Sequence, residues 1–182
     1  MSLLFSHNFC HVLLFARSPD SQELGYEKYS VVGFSDGGRT GLIMAAKASD
    51  RVTKCVAWGC NAYFTPYEKD VVSRITSIKE WADEVRKPLE EIYRDELQPL
   101  WSSLCDTWAG MDNIFREDLP YILCPVFILH GDKDPMVAKH HSEFFKSNIK
   151  RCRVHRFPFA GHNLQQTNPA EFNQLVQEFL LA

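Results

Sequence analysis

The sequence has no long run of basic residues, no Cys-x-x-Cys pair and no apolar stretch long enough to cross a membrane. A net charge of -3 offers no electrostatic footprint for nucleic acid. The apolar N-terminal stretch MSLLFSHNFCHVLLFARS lacks a basic n-region and a clean cleavage site, and it is too interrupted to span a bilayer. We therefore expect a protein that binds neither nucleic acid nor membranes.

The cysteines are scattered and show no spacing typical of a metal site. They are Cys10, Cys55, Cys60, Cys105, Cys124 and Cys152. Reduced and mostly buried thiols are the expected state, which favours an intracellular location, in the cytoplasm or in mitochondria. Hydrophobic residues make up 45% of the chain and charged residues 24%, which is ordinary globular usage.

From Tyr29 onward, short apolar runs alternate with helical patterns, and this alternation predicts an α/β fold with a mostly parallel sheet. The predicted strands are YSVVGF, RVTKCVAWG, CPVFILHG and CRVHRFP. Residues 1–28 show no clear period and are expected to be irregular. Residues from about 62 to 118 have helical spacing and predict several helices, broken near Pro88 and Pro99.

The last segment carries the clearest helix signals. Asn168 can cap a helix, Pro169 suits its first position, and Glu171 stands where a capping box requires an acid. One apolar stripe follows, formed by Phe172, Leu175, Val176, Phe179 and Leu180. We therefore expect a C-terminal helix that packs on the sheet.

The stretch VVGFSDGG places Ser35 in a Gly-x-Ser-x-Gly pattern between a predicted strand and a predicted helix. This context is that of a nucleophile elbow, in which a strained turn presents a serine to the substrate. The pattern is short enough to recur by chance, so Ser35 could also be an ordinary turn serine. A catalytic role requires an acid and then a histidine later in the chain.

Both residue types follow predicted strands in that order. Asp132 and Asp134 come after the third strand and His162 after the fourth, so all of them are expected at the same sheet edge as Ser35. Ser35 would attack an acyl carbon, His162 would transfer the proton, and Asp134 would orient the imidazole. Taken singly, the aspartates could be turn formers and His162 a loop histidine.

A metal-dependent hydrolase is a further alternative. Its candidate ligands would be His130, Asp132, His140 and His141, but these residues lack a recognised ligand spacing. We expect neither a metal nor another cofactor.

The segments GFSDGG, WGCNAY, KPLEEIY, CPVFILHGDKDPMV and GHNL occur in this order. Together they resemble the α/β-hydrolases and, within them, the biphenyl-hydrolase-like serine hydrolases. The resemblance covers about residues 29–182 and implies a helical cap at about 62–118 and an acid at Asp134, with Asp132 as its neighbour. It makes Trp81, Trp101 and Trp108 candidates for the pocket, although packing inside the cap is at least as well expected.

The resemblance also gives Asp36 two roles. Its backbone N–H would serve the oxyanion hole, and its carboxylate would bind the α-amino group of an amino-acid ester. The alternative is that Asp36 complements the helix N-terminus or pairs with Arg39.

The chain departs from the family at its N-terminus. Relatives have several strands before the elbow, whereas residues 1–28 are dissimilar here. We therefore expect the N-terminal strands to be missing, together with the loop that carries the second oxyanion donor. The elbow strand would then have an unpaired edge, which invites self-association.

Two functional hypotheses follow. The first is a serine hydrolase of small carboxylic esters, including α-amino-acid esters, that uses Ser35, His162 and Asp134. The second is a catalytically inactive hydrolase-like chain that acts by binding a partner; the expected loss of the oxyanion loop and the unpaired strand edge favour it.

Overall fold

The computed structural model describes residues 12–15 and 27–182. It divides into two compact units, of which residues 63–114 form one. Residues up to 62 and from 115 onward form the other, which contains the sheet. No helix in the described part of the chain is long and apolar enough to cross a membrane.

In the described residues, one sheet of five strands runs through the larger unit, and four of its strands are parallel. Its strands, in both chain order and spatial order, are β1 (Val12–Phe15), β2 (Tyr29–Phe34), β3 (Val52–Trp58), β4 (Val126–Gly131) and β5 (Cys152–Phe157). The four strands predicted from the apolar runs are therefore confirmed as β2 to β5. Every residue of β4 is buried, which explains why this strand has a continuous apolar run.

The segment before Tyr29 contributes a strand, and in this respect the expectation of irregular structure is wrong. Strand β1 runs antiparallel to β2, with Val12 opposite Gly33 and Phe15 opposite Ser30. The elbow strand β2 thus has a partner on both sides, so the argument for self-association through its open edge fails. At four residues, β1 is too short for its sequence pattern to distinguish it from a loop. Residues 1–11 and 16–26 lie outside the described part.

Helices connect these strands and form the smaller unit. They are α1 (Asp36–Lys47), α2 (Pro66–Ile75), α3 (Asp83–Tyr93), α4 (Leu97–Ala109), α5 (His140–Asn148), α6 (Leu164–Thr167) and α7 (Pro169–Leu181). A short 3-10 helix, Arg116–Tyr121, precedes β4. Helix α7 packs Phe172 and Val176 into the core beside Trp58 and Phe127 of the sheet. The predicted C-terminal helix is therefore confirmed, and so is its packing on the sheet.

The start of α7 differs from the prediction in its capping. Asn168 is the residue before the helix, but its side-chain oxygen accepts a hydrogen bond from Thr167 Oγ1 at 2.9 Å and makes no cap. Glu171 Oε1 lies 3.1 Å from Nε2 of His155 on β5. The predicted capping box is therefore wrong, because a tertiary partner holds the glutamate side chain.

In the smaller unit, the sequence predicts breaks near Pro88 and Pro99, and only the second is present, since α3 ends at Tyr93 and α4 begins at Leu97. Pro99 is the third residue of α4, where a backbone N–H has no partner within the helix, so its absence costs nothing. Helix α3 continues through Pro88, and the buried Leu89 anchors it. The break comes at Arg94 instead, which has a positive φ of 50°.

Three tryptophans pack against one another inside this unit. The ring of Trp101 lies 4.8 Å from that of Trp81 and 5.6 Å from that of Trp108, both edge-on. The indole N–H groups of Trp81 and Trp101 both donate to the carbonyl oxygen of Ile75. These tryptophans therefore pack inside the unit, which was the alternative to a role in the pocket. The unit falls within the segment 62–118, and its role as a cap stays a prediction.

Candidate active site

Ser35 stands at the junction of β2 and α1 in a strained backbone conformation. Its φ is 53° and its ψ is -121°, a region that residues with a side chain rarely adopt. Its N–H donates to the carbonyl of Trp58 at 2.9 Å, and its own carbonyl accepts from the N–H of Arg39 at 3.1 Å. Strain of this kind costs about 1–3 kcal/mol and occurs mainly where function requires it. The turn has the conformation expected of a nucleophile elbow.

Glycines allow this turn to close. A Cβ atom at Gly33 would lie 2.7 Å from the backbone nitrogen of Gly38, so the end of β2 and the start of α1 approach more closely than a side chain permits. A Cβ at Gly41 would lie 2.8 Å from Cγ1 of Val31, which shows how tightly α1 packs on the strand. Gly33 and Gly41 therefore allow close approaches of β2 and α1 that a residue with a side chain would prevent.

The structure brings Asp134 and His162 together. Nδ1 of His162 lies 2.8 Å from Oδ2 of Asp134, whose side chain is 1% exposed. The other carboxylate oxygen, Oδ1, accepts the backbone N–H groups of Met136 at 2.7 Å and Val137 at 3.0 Å. Three hydrogen bonds thus hold this buried carboxylate, and one of them fixes the imidazole of His162.

Backbone contacts join the loop after β4 to the loop that leads to His162. The N–H of Asp132 donates to the carbonyl of Phe157, and that of Lys133 donates to the carbonyl of Ala160, both at 2.9 Å. A Cβ at Gly131 would lie only 2.8 Å from the carbonyl carbon of Ala160. These contacts explain why residues 28 positions apart in sequence meet with hydrogen-bonding geometry.

His162 also lies close to Phe34 and Gly59. Its ring centroid lies 4.9 Å from that of Phe34, the residue before Ser35. A Cβ at Gly59, which has a φ of +59°, would lie 3.0 Å from Cε1 of His162. Among the described residues, no hydrogen bond joins Ser35 to His162. Such contacts often tighten only when substrate binds, so this geometry is compatible with a catalytic pair.

Asp132 has a different partner from its neighbour. Its Oδ1 accepts a hydrogen bond from Nε of Arg156 at 2.6 Å. Of the two aspartates in GDKDP, it is therefore Asp134 that contacts the histidine, and its role as the catalytic acid stays a prediction.

The residues of the metal hypothesis do not form a ligand cluster. Within the described residues, no group of three or more His, Cys, Asp and Glu is placed so that it could hold a metal ion. His130 is 2% exposed, and its Nε2 has no hydrogen-bond partner. Burial lowers the pKa of His130, and this effect exceeds the opposing one of Asp134.

Asp36 forms a salt bridge with Arg39, one turn along α1. The guanidinium also donates to Oδ1 of the buried Asn61, from Nε at 3.0 Å and from Nη2 at 2.5 Å. The alternative expectation, that Asp36 pairs with Arg39, is thus met. Substrate recognition by the carboxylate stays a prediction, and so does the oxyanion role of the Asp36 N–H, which lies in the first turn of α1 where N–H groups lack helical partners.

The sequence predicts no role for two residues of the WGCNAY segment that lie near the site. Asn61 anchors Arg39 from 22 residues away, a contact that no local pattern reveals. Cys60 is buried beside α1, and burial raises the pKa of its thiol to about 12, although Arg39 acts in the opposite direction. Its thiolate, the nucleophilic form, is therefore scarce near neutral pH.

The sequence matches a known family of proteins over most of its length. The model of the alpha/beta hydrolase family matches residues 7–175. The proteins named serine hydrolase BPHL from Mus musculus and from Homo sapiens are each 37% identical to this chain over 166 residues. Each match covers 86% of this chain and 56% of the relative, so the chain spans little more than half the length of these relatives.

Solved structures show the same fold. The meta-cleavage product hydrolase from Pseudomonas fluorescens IP01 superposes with a TM-score of 0.68 at 24% identity, over 87% of this chain and 66% of that one. The predicted architecture and the resemblance to biphenyl-hydrolase-like proteins are thereby confirmed. The family match begins at residue 7, within the segment that we expected to be dissimilar. Because the family model matches most of its length, the chain belongs to the alpha/beta hydrolase family.

Proposed function

We propose that this chain hydrolyses carboxylic esters through an acyl-enzyme on Ser35. His162 is the general base and acid, and Asp134 holds its imidazole. The observation that carries the proposal is the hydrogen bond between Asp134 and His162, at the sheet edge where the strained turn of Ser35 also lies. The relatives named serine hydrolase support it through their sequence identity.

In the acylation step, Ser35 Oγ attacks the acyl carbon and forms a C–O bond. Because Nδ1 of His162 is bound to Asp134, the serine proton passes to Nε2. The carbonyl oxygen becomes an oxyanion, and the N–H of Asp36 donates to it, aided by the positive end of the α1 dipole. The intermediate then collapses, and the alcohol leaves with the proton from Nε2.

In the deacylation step, water takes the place of the alcohol. His162 Nε2 removes a proton from the water as its oxygen attacks the acyl carbon. The second intermediate expels Ser35 Oγ, which takes its proton back from Nε2, and the carboxylic acid leaves. No cofactor takes part in either step.

We propose small esters, including α-amino-acid esters, as the substrate class. Support comes from the carboxylate of Asp36, which follows the nucleophile directly and whose side chain is 28% exposed. Arg39 binds Oδ1, and in the described residues Oδ2 accepts no hydrogen bond. That second oxygen is suited to accept from an ammonium group on the acyl part of the substrate.

Turnover of small p-nitrophenyl esters by the purified chain tests the proposal. We expect Ser35→Ala and His162→Ala to remove turnover, and Ser103→Ala, which replaces an exposed serine of α4, to retain it. Size-exclusion chromatography of each sample shows that the proteins are folded and monodisperse. Turnover that survives Ser35→Ala would contradict the proposal, as would a folded wild-type chain without turnover.

A further inference from the structure

We infer that Arg39 sets how strongly the site selects a cationic acyl group, because it compensates the charge of Asp36 beside the nucleophile. The inference rests on the proposed function and names a specificity-determining residue for it. A bare carboxylate at this position would favour an ammonium group strongly, whereas a carboxylate that already carries a guanidinium favours it much less.

The contacts of Arg39 hold its charge in place. Nη1 donates to Oδ1 of Asp36, while Nε and Nη2 both donate to Oδ1 of Asn61 at 3.0 and 2.5 Å. The side chain of Arg39 is only 12% exposed, and Asn61 is completely buried. The guanidinium is thus fixed between two partners at the start of α1, unlike the cation of a mobile surface pair.

The position of Arg39 relative to the nucleophile follows from the backbone. Its N–H donates to the carbonyl of Ser35 at 3.1 Å, so it belongs to the first turn of the helix that begins at the elbow. An ammonium group bound to the free oxygen of Asp36 would therefore lie close to a fixed positive charge. At low exposure this repulsion is only weakly screened, and it offsets part of the attraction to Asp36.

The consequence is a site that accepts substrates with uncharged acyl groups as well as substrates with cationic ones. Arg39 holds the carboxylate of Asp36 in a salt bridge, and it also lowers the benefit that a substrate gains from an amino group. Removal of the Arg39 charge should therefore sharpen selection for the amino group, and this effect should be largest where the carboxylate of Asp36 holds that group close to Arg39.

The test compares alanine benzyl ester with benzyl propionate, which differ in the amino group. The readout is the kcat/KM value for alanine benzyl ester divided by the value for benzyl propionate. We expect Arg39→Met and Arg39→Gln to raise the ratio by roughly fivefold, the scale of a partly exposed charge pair. Arg39→Lys, which keeps the charge, should stay near the wild-type ratio. In the Asp36→Asn background, where no carboxylate holds the ammonium group near Arg39, Arg39→Met should raise the ratio less than in the wild-type background.

Arg153→Met is the matched control. Arg153 is exposed near the start of β5, at the end of the strand opposite to the one that leads to His162, and its replacement changes the net charge by the same amount. It should not alter the ratio. An unchanged or lower ratio in both neutral Arg39 variants would overturn the inference, and so would an equal rise in Arg153→Met.

A turnover-independent measurement separates this inference from the proposed function. Dissociation constants of the two esters are measured by ligand-observed NMR on Ser35→Ala proteins with and without Arg39→Met. If the wild-type chain hydrolyses neither ester, the proposed function fails, and the ratio of the dissociation constants still decides the role of Arg39. A fall in the ratio of the dissociation constant of alanine benzyl ester to that of benzyl propionate on loss of Arg39 supports the inference, and a constant ratio refutes it.

Discussion

His162 Nδ1 and Asp134 Oδ2 are 2.8 Å apart, and the same carboxylate accepts two backbone N–H groups through its other oxygen. The hydrogen bond assigns the proton of the neutral imidazole to Nδ1 and leaves the lone pair on Nε2. A base with this tautomer is what Ser35 needs, so the proposed chemistry depends directly on Asp134.

Replacement of Asp134 should therefore abolish most catalysis while the loop stays folded. In Asp134→Asn, the side-chain carbonyl can still accept from Met136 and Val137, but the amide cannot stabilise an imidazolium. We expect kcat to fall about 10³–10⁴-fold, with thermal unfolding close to that of the wild type. Steady-state ester hydrolysis measures the first effect and circular dichroism the second.

Asp132→Asn is the control for this variant, because Asp132 pairs with Arg156 at the protein surface. Loss of a partly exposed salt bridge changes little, so we expect kcat within about threefold of wild type. A larger loss of kcat in Asp132→Asn than in Asp134→Asn would assign the orienting role toward His162 to Asp132 instead of Asp134.

Gly33→Ala should destabilise the elbow, because the added Cβ would meet the backbone of Gly38 at 2.7 Å. Backbone atoms cannot move aside cheaply, and we expect a loss of about 1–3 kcal/mol in the free energy of unfolding. Gly110→Ala is the comparison, since Gly110 has a φ of -77° and its Cβ would meet ordinary contacts at 3.6 Å. That variant should be neutral or gain about 0.4–1 kcal/mol. Urea unfolding followed by tryptophan fluorescence distinguishes the two, and an equal response would contradict the account.

His130 should make the stability of the fold sensitive to acid. Burial lowers its pKa in the folded chain, with Arg156 and His141 acting in the same direction and Asp134 and Asp132 against it. The unfolded chain then binds the proton more readily, so this contribution is complete above about pH 6.5 and is lost as the pH falls below it. His130→Asn removes the titrating group. As the pH is lowered from 7 to 5, the urea midpoint of this variant should therefore rise relative to that of the wild type. A constant difference across that range would refute this origin of acid sensitivity.

Cys60 should resist alkylation in the native protein although it adjoins the site. Its burial and its pKa of about 12 leave almost no accessible thiolate at pH 8. Iodoacetamide treatment followed by peptide mapping should find Cys60 unmodified in the folded chain and modified in urea, with ester turnover unaffected by treatment of the folded chain. Modification of folded Cys60 with loss of turnover would contradict the assignment of the nucleophile to a serine.

Much of the sheet could be predicted, because buried parallel strands such as β4 consist of continuous apolar runs bounded by glycine or proline. The proximity of Asp134 and His162 followed from one rule, that the carboxyl ends of parallel strands share an edge. Neither inference required a side-chain contact to be known in advance.

Contacts between distant segments could not be predicted in this way. The pairing of Glu171 with His155 displaced a capping box that the local pattern favours, and Asn61 reaches Arg39 across 22 residues. Strand β1 was missed because four residues carry too little pattern, and helix α3 continued through Pro88 because tertiary packing of Leu89 outweighs the local signal.

Mapping of a fluorophosphonate adduct tests the central claim most directly. The folded, monodisperse chain is treated with the probe and digested, and the modified peptide is identified by mass spectrometry. We predict one adduct on Ser35, its absence in Ser35→Ala and a strongly slowed rate in His162→Ala. Absence of any adduct, or an adduct on another residue that persists in Ser35→Ala, would contradict a serine hydrolase site at this elbow.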